Sequence, residues 1–304
     1  MVNRTIVRVL PRVPKPAVRR LARRYIAGES LDDAMRLVAE LNRRGKLATI
    51  DVLGEELGHV DETHAITAEY RRLLAEIEAR GLGASVSVKL TALGLALDER
   101  LCEEHLLAIL EDARGRGNFV CIDMEDASTT DATLALYRRV RERGHENVGI
   151  VLQAQLRRTL ADARALAPLQ PDVRLCKGIY VEPPERAYQS HDEVRESFVR
   201  VLEELLAGGS HVAIATHDGR LLRRSRQLLA AAGRGRDGYE FQMLLGVREA
   251  EADRLVQAGE PMRVYVPYGA DWYAYSLRRL QENPRIAGFV TLNALARVVP
   301  GWRR

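Results

Sequence analysis

Cysteine is scarce in this 304-residue chain: Cys102, Cys121 and Cys176 are all it has, and no two stand in a C-x-x-C spacing. That pattern indicates neither a disulfide framework nor a structural zinc site, and it suits a reduced, cytoplasmic setting. Long apolar runs are missing too. None approaches the ~20 residues a membrane-spanning helix needs, and the amino terminus lacks a signal-peptide core. Residues 1–24 are rich in arginine and free of acid, as a transit peptide would be, but Pro11, Pro14 and Pro16 break the amphipathic helix it would need. No internal repeat, low-complexity tract or interdomain linker is found.

Familiar ligand motifs are equally absent. Gly81-Leu-Gly83 follows a helical pattern and precedes a strand-like one, the reverse of what a dinucleotide fingerprint requires. Lys177-Gly178 has the order of a P-loop reversed. His59 and His64 are five residues apart, so their rings do not share a helical face and read as loop polarity before metal ligands. The 46 Lys and Arg are interleaved with 42 Asp and Glu, which argues against a nucleic-acid stripe.

What is present is an alternation. Leu47-Ala-Thr-Ile-Asp-Val-Leu-Gly54 reads as a first buried strand, after a helix that Ser30 and Asp33 start and Gly45 ends. Further apolar runs lie at 85–90, 119–123, 148–153, 173–177, 211–215, 239–244 and 262–266. Helical patterns near 63–80, 98–115, 131–143, 157–166, 185–207, 219–232 and 248–258 separate them. Eight strands alternating with helices over ~250 residues predict a closed (β/α)8 barrel, with a doubly wound open sheet as the alternative. The expected division is a helical lead-in over 1–46 and one barrel domain over 47–304.

A barrel carries its chemistry at the carboxyl ends of its strands. Those ends supply Gly54-Glu55, Lys89, Asp123-Met-Glu-Asp126, Gln153, Lys177-Gly178, Thr216-His217-Asp218, Gln242 and Tyr265. Alternation would point Asp123 and Glu125 to one side, while Asp126 is placed to cap the next helix; Asp123 is assigned to the site and the other two to structure. Lys89 reads equally as a mouth residue or a solvated strand end, and His217 as a site group or a satisfied core histidine. A metal-dependent hydrolase built on Asp123, Glu125, His217 and Asp218 stays open on the residues alone. After Arg263-Val-Tyr-Val-Pro-Tyr-Gly269, a strand that stops, comes a helix on which Tyr275, Arg278, Arg279 and Glu282 share a face. Paired guanidiniums suit bidentate capture of a carboxylate, with Glu282 a turn away to orient one of them. Such a stripe is more often a solvated helix face, and spacing alone does not decide.

The wording of that segment, Tyr265-Val-Pro-Tyr-Gly269 and then Tyr275-Ser-Leu-Arg-Arg-Leu-Gln-Glu-Asn283, closely resembles the carboxyl-terminal signature of the proline dehydrogenase family. Other landmarks stand in family order: Arg23-Arg-Tyr-Ile-Ala-Gly-Glu29, Asp51-Val-Leu-Gly-Glu55, Val86-Ser-Val-Lys-Leu-Thr91, Ile122-Asp-Met-Glu-Asp126, Val151-Leu-Gln153, Arg174-Leu-Cys-Lys-Gly-Ile-Tyr180, Ala215-Thr-His-Asp218 and Phe241-Gln-Met-Leu244. The resemblance implies a distorted (β/α)8 TIM barrel with N-terminal helices and the last helix across the mouth. It implies FAD held noncovalently, oxidation of L-proline to Δ1-pyrroline-5-carboxylate, and electrons passed to a membrane quinone. It implies a monofunctional cytoplasmic protein that meets the inner face of the plasma membrane peripherally and works with a separate pyrroline-5-carboxylate dehydrogenase. Metal and nucleic acid have no part in it, and hydroxyproline is the close alternative substrate.

Carried over by motif, Asp123 and Arg174 form the catalytic pair, with Arg174 beside flavin N5. Arg278 and Arg279 clamp the substrate carboxylate and Glu282 holds the arginines; Lys89, Tyr265, Tyr275 and Leu244 enclose the ring with Asp123. Met124, Gln153 and Gln242 contact the isoalloxazine. Lys177, Gly178, Ile179, Thr216 and His217 hold the ribityl and phosphate part, Tyr180 packs against the flavin, and Glu55 pairs with an arginine at the mouth. Gly178, lacking Cβ, would let backbone close on the cofactor. Two positions depart from the family, which often has alanine at Ile179 and an aromatic at Gln155.

Overall fold

The structure, a computed structural model, describes residues 24–54, 58–273 and 275. Its centre is a closed barrel of eight parallel strands in sequence order. They are β1 (Leu47–Val52), β2 (Ala84–Val88), β3 (Val120–Ile122), β4 (Val148–Gln153), β5 (Asp172–Cys176), β6 (His211–Ala215), β7 (Tyr239–Leu244) and β8 (Met262–Tyr268). Helix α1 (Leu31–Arg43) precedes β1, and α2 (Val60–Ala79), α3 (Glu99–Gly115), α4 (Thr130–Glu142), α5 (Thr159–Leu166), α6 (His191–Ala207), α7 (Gly219–Ala231) and α8 (Glu249–Gln257) follow successive strands. The ring closes where β1 lies beside β8, Leu47 opposite Arg263 and Val52 opposite Tyr268.

Side chains alternate across the wall, and the two sides differ. Outward residues such as Ile50, Val86, Ile150, Leu175, Ile214 and Phe241 are fully buried against Leu73, Leu106, Tyr137 and Phe198 of the helices. Inward, Thr49 meets Ser87 at 3.1 Å, Arg174 reaches Ser87, and Arg263 reaches Glu240. Barrels commonly fill this space with Val, Ile and Leu. Here it is polar.

Helix α1 packs against β8 and β1, the outer groove that an eighth barrel helix would otherwise cover. Its start is a capping box in which Ser30 Oγ accepts from the Asp33 N–H and the Asp33 carboxylate accepts from the Ser30 N–H, each at 3.2 Å. Gly45, with φ +71, turns the chain out of it. The segment before α1 is tied to the end of the barrel by the Ala27 N–H donating to Pro267 O at 2.9 Å.

Three expectations shift. The helix predicted from 185 begins at His191, because Pro183 and Pro184 hold a turn and Ser190 supplies the cap. Strand β8 runs through Pro267 to Tyr268, so Tyr265 sits within the strand and not at its end. Asp126 does not cap α4: its carboxylate accepts from the Ser128 N–H at 2.8 Å, forming a turn, and Thr129 takes the cap position. The helix expected across the mouth falls outside the described residues beyond Tyr275, as do the helices expected before residue 24. No helix among the described residues is long and apolar enough to cross a membrane.

Candidate active site

Four of the expected site residues meet just inside the carboxyl end of the barrel. Asp123 follows β3 directly, and its carboxylate accepts from Arg174 Nη1 of β5 at 2.5 Å and from the Tyr265 hydroxyl of β8 at 2.7 Å. Lys89, next after β2, donates to Tyr265 Oη at 3.4 Å and lies 3.9 Å from Asp123. The Arg174 guanidinium stands 5.3 Å from the centre of the Tyr265 ring. Burial works against the Arg174 charge, but the Asp123 carboxylate on it, with Glu240 behind, outweighs that and holds it protonated. The Tyr265 phenol is pushed well above its ordinary value by burial and then by Asp123 and Asp51, so it stays a neutral donor.

Two members of this network do not feature among the expected residues. Asp51, fully buried in β1, accepts from Lys89 Nζ at 2.6 Å and thereby fixes that ammonium in the barrel. Ser87 Oγ accepts the second Arg174 donor, Nη2, at 2.8 Å. Tyr70 of α2 braces both strands from outside, donating to Ser87 O at 2.7 Å and accepting from the Val52 N–H at 3.3 Å. The signal in the sequence was a carboxylate inside an apolar run, Leu47 to Leu53, because a buried charge needs a partner.

A second group surrounds the ends of β3, β4 and β5. Gln153 donates to Met124 O at 3.0 Å and Glu125 O at 2.7 Å, so its amide holds the loop after β3. Glu125 accepts from Thr91 N and Oγ1. Gln155 donates to Gln153 Oε1 at 3.2 Å and to Tyr180 O at 3.1 Å. Gly178 has φ +98, and a Cβ there would come within 2.4 Å of Gln155 Cδ. The glycine is therefore required by its backbone conformation and by Gln155, a reason nearer than cofactor approach. Lys177, Ile179 and Tyr180 beside it are half-buried.

A third group follows β6. Thr216 Oγ1 accepts from the Asp218 N–H at 3.1 Å, and His217 Nε2 accepts from the Leu244 N–H at 3.0 Å, which fixes that nitrogen as the unprotonated one. Asp218 caps α7 and accepts from Arg195 at 2.7 Å, with Lys177 Nζ 3.6 Å away. Arg223 and Arg248 also reach the first residue of α7, Gly219. Cations and a helix N-terminus thus converge at the ends of β5 and β6. Gln242 lies deeper, donating to Glu240 at 2.6 Å. The carboxylates of the metal reading are all spoken for: Asp123 by Arg174, Glu125 by Thr91, Asp218 by Arg195. Tyr275 is buried and close enough to contribute to the Tyr265 shift. Glu55, Arg278, Arg279 and Glu282 lie outside the described residues.

Comparison with known proteins agrees with this fold. The proline dehydrogenase family model matches residues 34–292. Proline dehydrogenase of Deinococcus radiodurans is 38% identical over 279 residues, 90% of each chain. Proline dehydrogenase 1 of Bacillus subtilis is 39% identical over 269 residues, 88% of this chain and 89% of its own. A crystal structure of proline utilization A from Bdellovibrio bacteriovorus, inactivated by N-propargylglycine, superposes with a TM-score of 0.83 at 23% identity, over 97% of this chain and 38% of that one; it speaks for the fold. The chain belongs to the proline dehydrogenase family.

Proposed function

We propose that the protein oxidises L-proline to Δ1-pyrroline-5-carboxylate with a noncovalently held FAD and passes the electrons to a membrane quinone. The observation that carries the reading is the Lys89, Asp123, Arg174 and Tyr265 network at the mouth of a barrel of this family.

The donor set fits such a cofactor. A guanidinium held rigid by Asp123 and Ser87 suits the redox end, and Lys177, Arg195, Arg248 and the start of α7 suit a diphosphate. Arg174 and the backbone around Met124 would hold the ring system; Gly178, Ile179, Tyr180, Thr216 and His217 would hold the remainder. When bound, the flavin supplies the two-electron oxidant.

The protein's own part is to bind, orient and set charge. The substrate nitrogen must be unprotonated for its neighbouring C–H to leave as hydride, and a site that already holds Lys89 and Arg174 disfavours a second ammonium. Lys89 is kept in place by Asp51, and Tyr265 by Asp123, so both face the substrate without reorganising. Leu244 and Tyr275 would close on the ring, while Arg278 and Arg279, with Glu282, would clamp the carboxylate. The product, a reactive cyclic imine, calls for a separate dehydrogenase to oxidise its open-chain aldehyde.

The test is the visible spectrum of the purified protein, recorded anaerobically before and after L-proline. A flavin spectrum that bleaches upholds the reading. Protein that takes up no FAD overturns it, and a bound flavin that stays oxidised overturns the substrate.

A further inference from the structure

The amino-terminal half of the barrel encloses a cavity of about 220 Å3 beneath the candidate site. Its floor lies at the strand starts: Asp172 and His211 open β5 and β6, and Glu240 and Arg263 are the second residues of β7 and β8. Its roof includes Arg174 and Gln242, the layer beneath the candidate site. Ser85 and Ala213 leave the room, where branched apolar residues would ordinarily fill a barrel.

The lining is charged and paired. Arg263 Nε donates to Glu240 at 2.7 Å, and Gln242 donates to the same carboxylate oxygen at 2.6 Å. His211 Nδ1 lies 2.8 Å from Asp172 Oδ2, and these two side chains keep 32% and 31% of their exposure, so the cavity meets solvent at the face opposite the mouth. Dry cavities are apolar ones; a polar cavity of this size holds water. Among the described residues, three of the lining side chains also carry buried atoms without a well-formed hydrogen bond: the acceptor Gln242 Oε1, the donor Arg174 Nε, and His211 Nδ1, which has only its ion-pair contact with Asp172. An anion would satisfy the donor and be repelled by Glu240 and Gln242 Oε1, and a cation would do the reverse. Water serves both.

We propose that this cavity is a water-filled well through which protons pass between solvent at the amino-terminal face and the Arg174 and Gln242 layer, with His211 as the exchanging group at its opening. Arg174 stays protonated throughout; the carriers are water and imidazole. Burial lowers the His211 pKa, but Asp172, with Glu240 behind it and against the opposing charge of Arg263, outweighs that and raises it above the ordinary histidine value. A protonated fraction is therefore available near neutral pH. The use of the proton rests on the proposed oxidation: a hydride leaves the carbon beside nitrogen, the nitrogen having shed its own proton to solvent. One proton from the well would then join that hydride on the oxidant, which gains two electrons and two protons in all. The water and its exchange do not depend on that reading.

The experiment is hydrogen–deuterium exchange of the Arg174 Nε–H and the Gln242 side-chain amide by NMR, in the wild type and in Ala213→Leu, which plugs the well. Ser85→Val plugs it from another strand should the first variant fail to fold. Exchange slowed by about tenfold or more in the plugged protein is expected. Anaerobic bleaching by L-proline should then be slower and show a larger solvent deuterium isotope effect, with the half-saturating proline concentration unchanged. Wild-type exchange as slow as that of core backbone amides, or plugs without effect on exchange, overturns the well. Plug-sensitive exchange in a protein that proline does not bleach upholds the well and overturns the proposed oxidation instead.

Discussion

The two sides of the barrel wall are made from the same strands and obey different physics. Outside, Ile50, Val86, Leu175 and Phe241 bury against the helices, and the free energy comes from apolar area removed from water. Inside, Asp51, Lys89, Arg174 and Glu240 are buried and Asp123 and Arg263 half-buried as partners, and each is tolerable only because of the other. The difference teaches where stability and chemistry reside. An outer residue can be judged by its own burial, whereas an inner one can be judged only with its partner. One strand can therefore be conservative on one face and reactive on the other.

Asp123→Ala should have the largest effect, because it strands Arg174 and frees the Tyr265 hydroxyl. A loss of about 3–5 kcal/mol by denaturant unfolding is expected, together with a fall of at least about 100-fold in proline-driven flavin reduction. Phe198→Ala tests the other side. It should cost a comparable ~3–5 kcal/mol while proline dependence of the folded protein stays unchanged; a shifted half-saturating concentration with unaltered stability would break the division between the two faces.

Glu240→Gln sharpens the contrast through pH. Burial raises the Glu240 pKa, but Arg263 outweighs it and the net shift is downward. A depressed folded pKa means stability that is present above the unfolded value, ~4.3, and lost as pH falls through the folded one. The wild type should therefore exceed the variant by about 1–3 kcal/mol near pH 7, with the gap closing on acidification below about pH 4. A gap that grew towards acid would mean the pair is not ionised. The smallest effect belongs to neither face: Ser30→Ala removes the α1 cap and should lower stability by about 1 kcal/mol, seen as a Tm shift of about 2–4 °C with activity intact.

Much of the architecture was legible because helices and strands differ in period. The eight apolar runs coincide with the eight strands to within a residue or two, and Ser30 and Gly45 punctuate α1 as their chemistry requires. Boundaries went astray where tertiary pairing overrode a local signal, as when β8 carried on through Pro267 beside β1. In the candidate site, Lys89 and Asp123 could be named from their places at strand ends, Tyr265 from a place taken for a strand end, and Arg174 only from the family wording. Ser87 could not, since a short polar residue inside a buried strand looks the same whether it faces a helix or a guanidinium, and the carboxylate of Asp51 signalled only that it needed a partner, not which one.

The sequence by itself determined that eight strands alternate with helices and that polar groups gather at one end of them, because side-chain periodicity and turn chemistry are local properties. Only the tertiary structure decided which charges are partners. Lys89 and Tyr265 are 176 positions apart, and Arg174 and Ser87 are 87. Their pairing follows from closure of β8 onto β1, a constraint that no segment of the chain carries alone.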